Sequence, residues 1–108
     1  MDEQEFKKRA EQALNDLNRR LAAPAEEHEF EVDFNAGALA IEFETPSAKF
    51  VVSPNSPVSQ IWVSAHSKSF KLDWDPARTA FVLGATGQTL ADLIGDAVGQ
   101  QLGEKVTL

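Results

Sequence analysis

Cysteine is absent from the 108 residues. Disulfide bridges, thiolate zinc sites, cysteine nucleophiles and any metal cluster held by cysteine on this polypeptide are absent with it. A chain without thiols fits a reducing compartment, and the expected location is the cytoplasm. No apolar run approaches the roughly 18 residues of a membrane span. The opening segment, MDEQEFKKRAEQ, is polar with a helical pattern, unlike an export or transit signal. The expectation is a soluble protein with no membrane partner. A glycine-rich phosphate loop, a nucleophile elbow, an HExxH or EF-hand pattern and an evident Ser-His-Asp arrangement are also missing. No enzyme class is indicated.

Lysine and arginine are missing from one long stretch. Between Leu21 and Ala48 stand Glu26, Glu27, Glu29, Glu31, Asp33, Glu42 and Glu44 without a base, while the rest of the chain holds 10 acids against 10 bases. The whole net charge of −7 therefore sits in that stretch. An acidic balance argues against a nucleic-acid backbone binder, which concentrates lysine and arginine. With 43% hydrophobic residues the chain can bury one core, and residues 1–108 read as a single domain.

Asp2 with Glu5 three residues on resembles a capping box, and Phe6, Ala10, Ala13, Leu14, Leu17 and Leu21 follow at helical spacing. This first helix is expected to stop before Pro24. From Phe30 the period becomes two: Phe30, Val32 and Phe34 alternate with acids, then Leu39, Ile41 and Phe43 do the same after the turn Asn35-Ala36-Gly37. A break at Thr45-Pro46-Ser47 and a loop at Pro54 to Pro57 separate strands at Lys49–Val52 and Gln60–Ala65. Two shorter strands are expected at Phe70–Trp74 and Ala80–Leu83. Thr89 with Asp92 opens a last helix carrying Leu90, Leu93, Ile94, Ala97, Val98 and Leu102. Gly95 and Gly99 weaken it locally and are placed where it nears the first helix. Helix, five or six antiparallel strands, helix: the expected fold is α+β, a two-layer sandwich with both helices on one face of the sheet.

On a strand, side chains two apart share a face, so Glu27, Glu29, Glu31 and Asp33 stand in one row if strand one begins early enough. Unit charges about 7 Å apart repel by roughly 0.6 kcal/mol in bulk water and about 2.4 kcal/mol at an effective dielectric near 20. A hard cation or a basic protein surface relieves that repulsion. The same row also reads as the ordinary solvated face of a strand, and composition does not choose. His28 and His66 are the isolated possible nitrogen ligands, and His66 reads as a turn residue. Asp92 and Asp96 read as a solvent face. If Ile61, Val63 and Ala65 face the helices, Gln60, Trp62 and Ser64 face outward. An outward tryptophan is either an interface anchor or covered by its surroundings. Trp74 shares the inward phase of Phe70 and Leu72 and reads as core.

The element order, the acidic first strand leading into Asn35-Ala36-Gly37-Ala38-Leu39, the segment Gln60-Ile61-Trp62-Val63, Asp73-Trp74 and the helix start Gly87-Gln88-Thr89-Leu90 together resemble the frataxin family in its short bacterial form. The likeness spans the whole chain. It implies an iron-binding accessory protein, an iron donor or a regulator, acting on a cysteine desulfurase and the scaffold that carries iron-sulfur clusters. Because this chain has no cysteine, clusters form on the partner. The resemblance implies an iron-binding acidic ridge to which Glu27, Glu29, Glu31 and Asp33 contribute from the strand and Asp16, with Glu11 less clearly, from the helix. It implies a docking surface at Gln60 and Trp62, joined by Ser53 and Lys71. It implies a monomer, with iron-induced oligomers as an open alternative.

This chain departs from the family pattern at the end of helix one, where Asn18, Arg19, Ala22, Ala23 and Ala25 replace expected acids. Fewer or weaker iron sites follow. Ser53 also stands where an asparagine is usual. A metal-independent docking module is the main alternative, with an acidic decoy of nucleic acid as a further one. A ferroxidase has little support, because no buried Glu and His constellation is evident.

Overall fold

The computed structural model describes residues 1–44 and 47–108. Thr45 and Pro46, where the break after strand two is expected, lie outside the described residues. Helix α1 (Glu3–His28) starts where the Asp2 carboxylate accepts a hydrogen bond from the Glu5 backbone N–H at 2.7 Å. Its buried stripe is Phe6, Ala10, Leu14, Leu17 and Leu21, as the spacing requires.

The helix does not stop before Pro24; it continues through it to His28. An interior proline costs roughly 3 kcal/mol through a lost hydrogen bond and a clash with the preceding turn. An offset lies at the far end. Glu29 turns left-handed with φ 57°, its N–H and that of Phe30 both reach the Ala25 carbonyl, and Phe30 drops into the core at 5% exposure. Burying a phenylalanine contributes roughly 1.5–3 kcal/mol, a term of the same size as the proline penalty.

Strands β1 (Glu31–Asn35), β2 (Ala38–Glu44), β3 (Ser47–Asn55), β4 (Gln60–Ala65), β5 (Lys68–Asp75) and β6 (Ala80–Leu83) pair in chain order as a six-stranded antiparallel sheet, open at β1 and β6. The β1–β2 turn places Ala36 at φ 55° and Gly37 at φ 80°, two successive left-handed residues of the kind a tight hairpin uses. The expected loop at Pro54 is instead the end of β3. Past Val52 that strand pairs with β4 alone, so Pro54 lies in a stretch with one free side, where a missing N–H is tolerated.

Leu39, Ile41, Phe43, Phe50, Val52, Ile61, Val63, Ala65, Leu72 and Phe81 line the inner face and form one core with the stripes of both helices. Helix α2 (Leu90–Leu102) adds Leu93, Ile94, Ala97 and Val98 to it, and the Thr89–Asp92 capping box forms as expected. Trp74 packs inward, its ring 5.1 Å from Phe81. His66 is the turn residue it reads as: its ring rests on Phe50 and its Nε2 lies 3.0 Å from the Ala97 carbonyl oxygen, tying the β4–β5 turn to α2.

Gly95 and Gly99 meet the carboxyl-terminal segment, not helix α1. A Cβ on Gly99 would lie 2.7 Å from the Glu104 carbonyl oxygen, and one on Gly95 3.1 Å from that of Val106. The segment after α2 runs back along the helix, and Glu104 is within 3.3 Å of His28 Nε2 at the end of α1.

Two stability outcomes follow. Gly99→Ala is expected to destabilise by about 1–3 kcal/mol, because backbone must move, although alanine at an unobstructed helix position stabilises by up to about 1 kcal/mol. Urea unfolding checks it, and an unchanged or higher midpoint rejects the packing account. Glu31 stands directly across from Glu42 in the β1–β2 register, and Glu42 faces Lys49 on its other side. Glu31→Lys is expected to stabilise by roughly 0.2–1 kcal/mol at low ionic strength. That gain should shrink in about 1 M salt, as paired urea curves will show.

Candidate functional site

The outward phase of the sheet gathers the residues expected at a docking surface. Ser53, Trp62 and Lys71 are direct cross-strand partners on β3, β4 and β5, and Gln60 faces Asp73 in the next row. Ile61, Val63 and Ala65 are buried, so the pleat leaves Trp62 outward at 38% exposure. Among the described residues it is the one large apolar side chain exposed on the sheet. Its indole is held from two sides. Nε1–H donates to Gln60 Oε1 at 3.0 Å, Gln60 Nε2 donates to Asp73 Oδ1 at 3.1 Å, and Lys71 Nζ lies 5.0 Å from the ring centroid. Such support fixes the rotamer of an amphipathic anchor before any partner arrives. Beside it lies a shallow depression lined by Val51, Ser53, Ser64, Ser69 and Phe70. In the sequence Asp73 stands out only as half of the Asp73-Trp74 pair, not as part of a docking surface. The alternation of Lys71, Leu72 and Asp73 carries its outward phase, but the register that brings it to Gln60 is a tertiary fact.

The acidic residues arrange differently from a single strand row. Glu27 belongs to the last turn of α1 and Glu29 is its left-handed cap, so only Glu31 and Asp33 stand along β1. The proline-tolerant helix is the reason: it takes up the residues that a strand starting early would have used. Glu26, Glu27, Glu29, Glu31 and Asp33 are all exposed, and three of them lie at a helix carboxyl terminus, where unpaired carbonyls add partial negative charge. The only base in that last turn is His28, which lies against Glu104. Glu42 extends the acidic edge onto β2, with Lys49 Nζ 3.7 Å from its carboxylate.

Asp16 is not brought to this edge. It lies three helical turns before Glu27, about 16 Å along the axis. Its carboxylate is held by Arg20 at 2.7 Å and also by Arg19. Those guanidiniums, the Arg20 hydrogen bond foremost, pull its pKa below the usual carboxylate value against a smaller effect of burial. Glu11 is exposed further up the same helix. Among the described residues no three His, Cys, Asp or Glu side chains converge as a metal-holding group. The donors along the edge are hard carboxylate oxygens, which suit iron only as an open arrangement of one or two side chains with water completing the sphere. No described helix is long and apolar enough to cross a membrane.

Comparison with known proteins identifies the family. A family model described as a frataxin-like domain matches residues 1–104. A relative from Azotobacter vinelandii, named iron-sulfur cluster assembly protein CyaY, is 29% identical over 100 residues, covering 91% of this chain and 90% of its own. One of the same name from Tolumonas auensis is 30% identical over 80 residues, 74% of each chain. The solved frataxin of Psychromonas ingrahamii, a CyaY-family protein, superimposes with a TM-score of 0.75 at 21% identity over 99% of this chain and 97% of that one. By sequence match and by architecture, the chain belongs to the frataxin-like family.

Proposed function

We propose that this chain is a non-catalytic accessory protein of iron-sulfur cluster assembly in a bacterial cytoplasm. In this reading it docks on the cysteine desulfurase and scaffold complex through the open sheet face. It presents iron, as weakly held cargo, on the acidic edge formed by Glu27, Glu29, Glu31 and Asp33. The observation that carries the reading is Trp62, exposed yet held in place by Gln60, Asp73 and Lys71 on a face no helix covers. Rigid aromatic anchors of this kind dominate interface energetics. The names of the Azotobacter vinelandii and Tolumonas auensis relatives support the pathway assignment. The lack of cysteine means that this chain offers no thiolate on which a cluster could be built.

Trp62→Ala is expected to weaken binding to the desulfurase and scaffold complex by about 2 kcal/mol, roughly thirtyfold in Kd. Isothermal titration measures it, and an affinity equal to that of the wild type rejects the docking face.

For the cargo, anaerobic ferrous iron is expected to perturb amide signals from Glu26 to Asp33 and at Glu42. The Glu29→Lys, Glu31→Lys double variant should lose most of that response. The absence of a three-ligand group among the described residues favours a second reading, docking without metal, in which the acids steer a basic partner. Unmoved amide signals together with intact, salt-sensitive docking decide for it.

A further inference from the structure

On the helical side of the molecule, away from the open sheet face, a groove of about 440 Å³ runs between α1 and the start of α2, over Trp74 and Phe81. Its size falls within the range of about 300–1,000 Å³ used for small ligands. We propose that this groove binds a small organic carboxylate with an apolar body, the carboxylate on Arg9 and the body over Leu17, Phe81 and Leu90.

Four charged side chains line the groove, and three are already engaged. Asp16 is taken by Arg19 and Arg20, which accounts for Asp16 and Arg20 together. Asp92 accepts from the Thr89 backbone N–H at 3.4 Å in the capping box of α2. Arg9 is left over. Its guanidinium carbon lies 5.1 Å from the Trp74 ring centroid, and its Nε is buried without a hydrogen-bond partner. Among the described residues no carboxylate forms an ion pair with it, although Asp16 and Asp92 line the same groove. Arg9 is half-buried, and a guanidinium N–H that is buried without an acceptor calls for an explanation. Stacking on Trp74, which itself packs on Phe81, fixes the plane of the donor fork before a ligand arrives.

A carboxylate matches the outer edge of the Arg9 fork, Nη1 and Nη2, in charge and shape. Arginine presents parallel N–H donors at the spacing of two carboxylate oxygens, and such charge-assisted pairs are about twice as strong as neutral hydrogen bonds. The floor supplied by Leu17, Phe81 and Leu90 is apolar, so the rest of the molecule is a hydrocarbon or aromatic body. The net charge of the protein does not forbid an anion here. Most uncompensated acids gather around the α1–β1 junction, and of the groove's own carboxylates Asp16 is paired with Arg19 and Arg20 while Asp92 is tied into the α2 capping box.

Phenylacetate and its neutral amide, phenylacetamide, are the probes, titrated into the full chain and followed by ¹H–¹⁵N spectra. The expected result is a saturable shift of the Trp74 indole N–H and the Arg9 Nε–H with phenylacetate, with the Trp62 indole unmoved as an internal control. Phenylacetamide should bind at least about tenfold more weakly, and Arg9→Gln should weaken phenylacetate by a similar factor. Arg9→Lys, which keeps the charge and loses the fork, should fall between. Equal binding of the two probes overturns the proposal, as does a phenylacetate response that survives Arg9→Gln, never saturates, or appears at Trp62. Should Arg9→Gln fail to fold, the pair of probes on the wild type decides alone.

Discussion

Burial of a single sheet face under two helices is the constraint on which this molecule rests. Six strands in chain order give an open sheet with two faces and two edges, and the apolar stripes of α1 and α2 cover one face only. Ile41, Phe50, Val52, Ile61, Val63 and Leu72 are almost wholly removed from water. At roughly 25 cal/mol per Å² of apolar surface, no polar contact in the structure rivals that contribution. Side chains alternate strictly, so a slip of one residue in any strand would send its whole apolar set to solvent. Trp62 is outward for that reason. The inward demand of Ile61, Val63 and Ala65 leaves it no other direction, and Gln60, Lys71 and Asp73 then convert an unavoidable exposure into an ordered surface.

The charge asymmetry has a different origin. At the α1–β1 junction the chain passes from a helix carboxyl terminus into an edge strand, two places already rich in unpaired backbone carbonyls or open to solvent. Glu26, Glu27, Glu29, Glu31 and Asp33 compound that negative potential instead of opposing it. An isolated edge strand benefits from charge, because like-charged edges do not pair with one another. The helix end does not benefit, since a base there would be the favourable choice. Glu26, Glu27 and Glu29 therefore gain nothing from the helix end, whereas the pair on β1 guards an open strand edge.

Much of this was legible in the sequence because two periods, 3.6 and 2, write themselves directly into the positions of Phe6 to Leu21 and of Leu39 to Phe43. The capping box at Thr89 and the outward phase of Trp62 were equally local. What was not legible depended on partners distant in sequence. Pro24 reads as a helix stop by local rules, yet the helix continues, with Ala25 packed against the core and Phe30 buried just past its end. The longer helix takes in Glu27 and ends on Glu29, so strand one does not begin early enough to put all four acids in one row. Pro54 sits in a strand because β2 has already ended beside it. The two glycines of α2 do mark a close approach, but which segment approaches is set by the path of residues 104–108. Asp73 and the engagement of Asp16 by two arginines likewise belong to register and side-chain reach.

Distance decides whether the acidic edge and the tryptophan face act as one site or two. From β1 to β4 there are three interstrand steps of about 4.8 Å, roughly 14 Å across the sheet. The screening length at physiological ionic strength is about 8 Å, so the charge of Glu31 and Asp33 is strongly attenuated at Trp62. Next to Trp62 the charges of Lys71 and Asp73 are of opposite sign. The anchor is therefore electrically local and nearly neutral, and filling the edge with a cation leaves its contact energy almost unchanged. A partner that responds to the state of the edge must carry its own basic surface some 14 Å from the pocket that receives the indole. The proposed loose hold on iron and the proposed dock would be compatible on one small sheet, because the strand spacing keeps the edge and Trp62 apart.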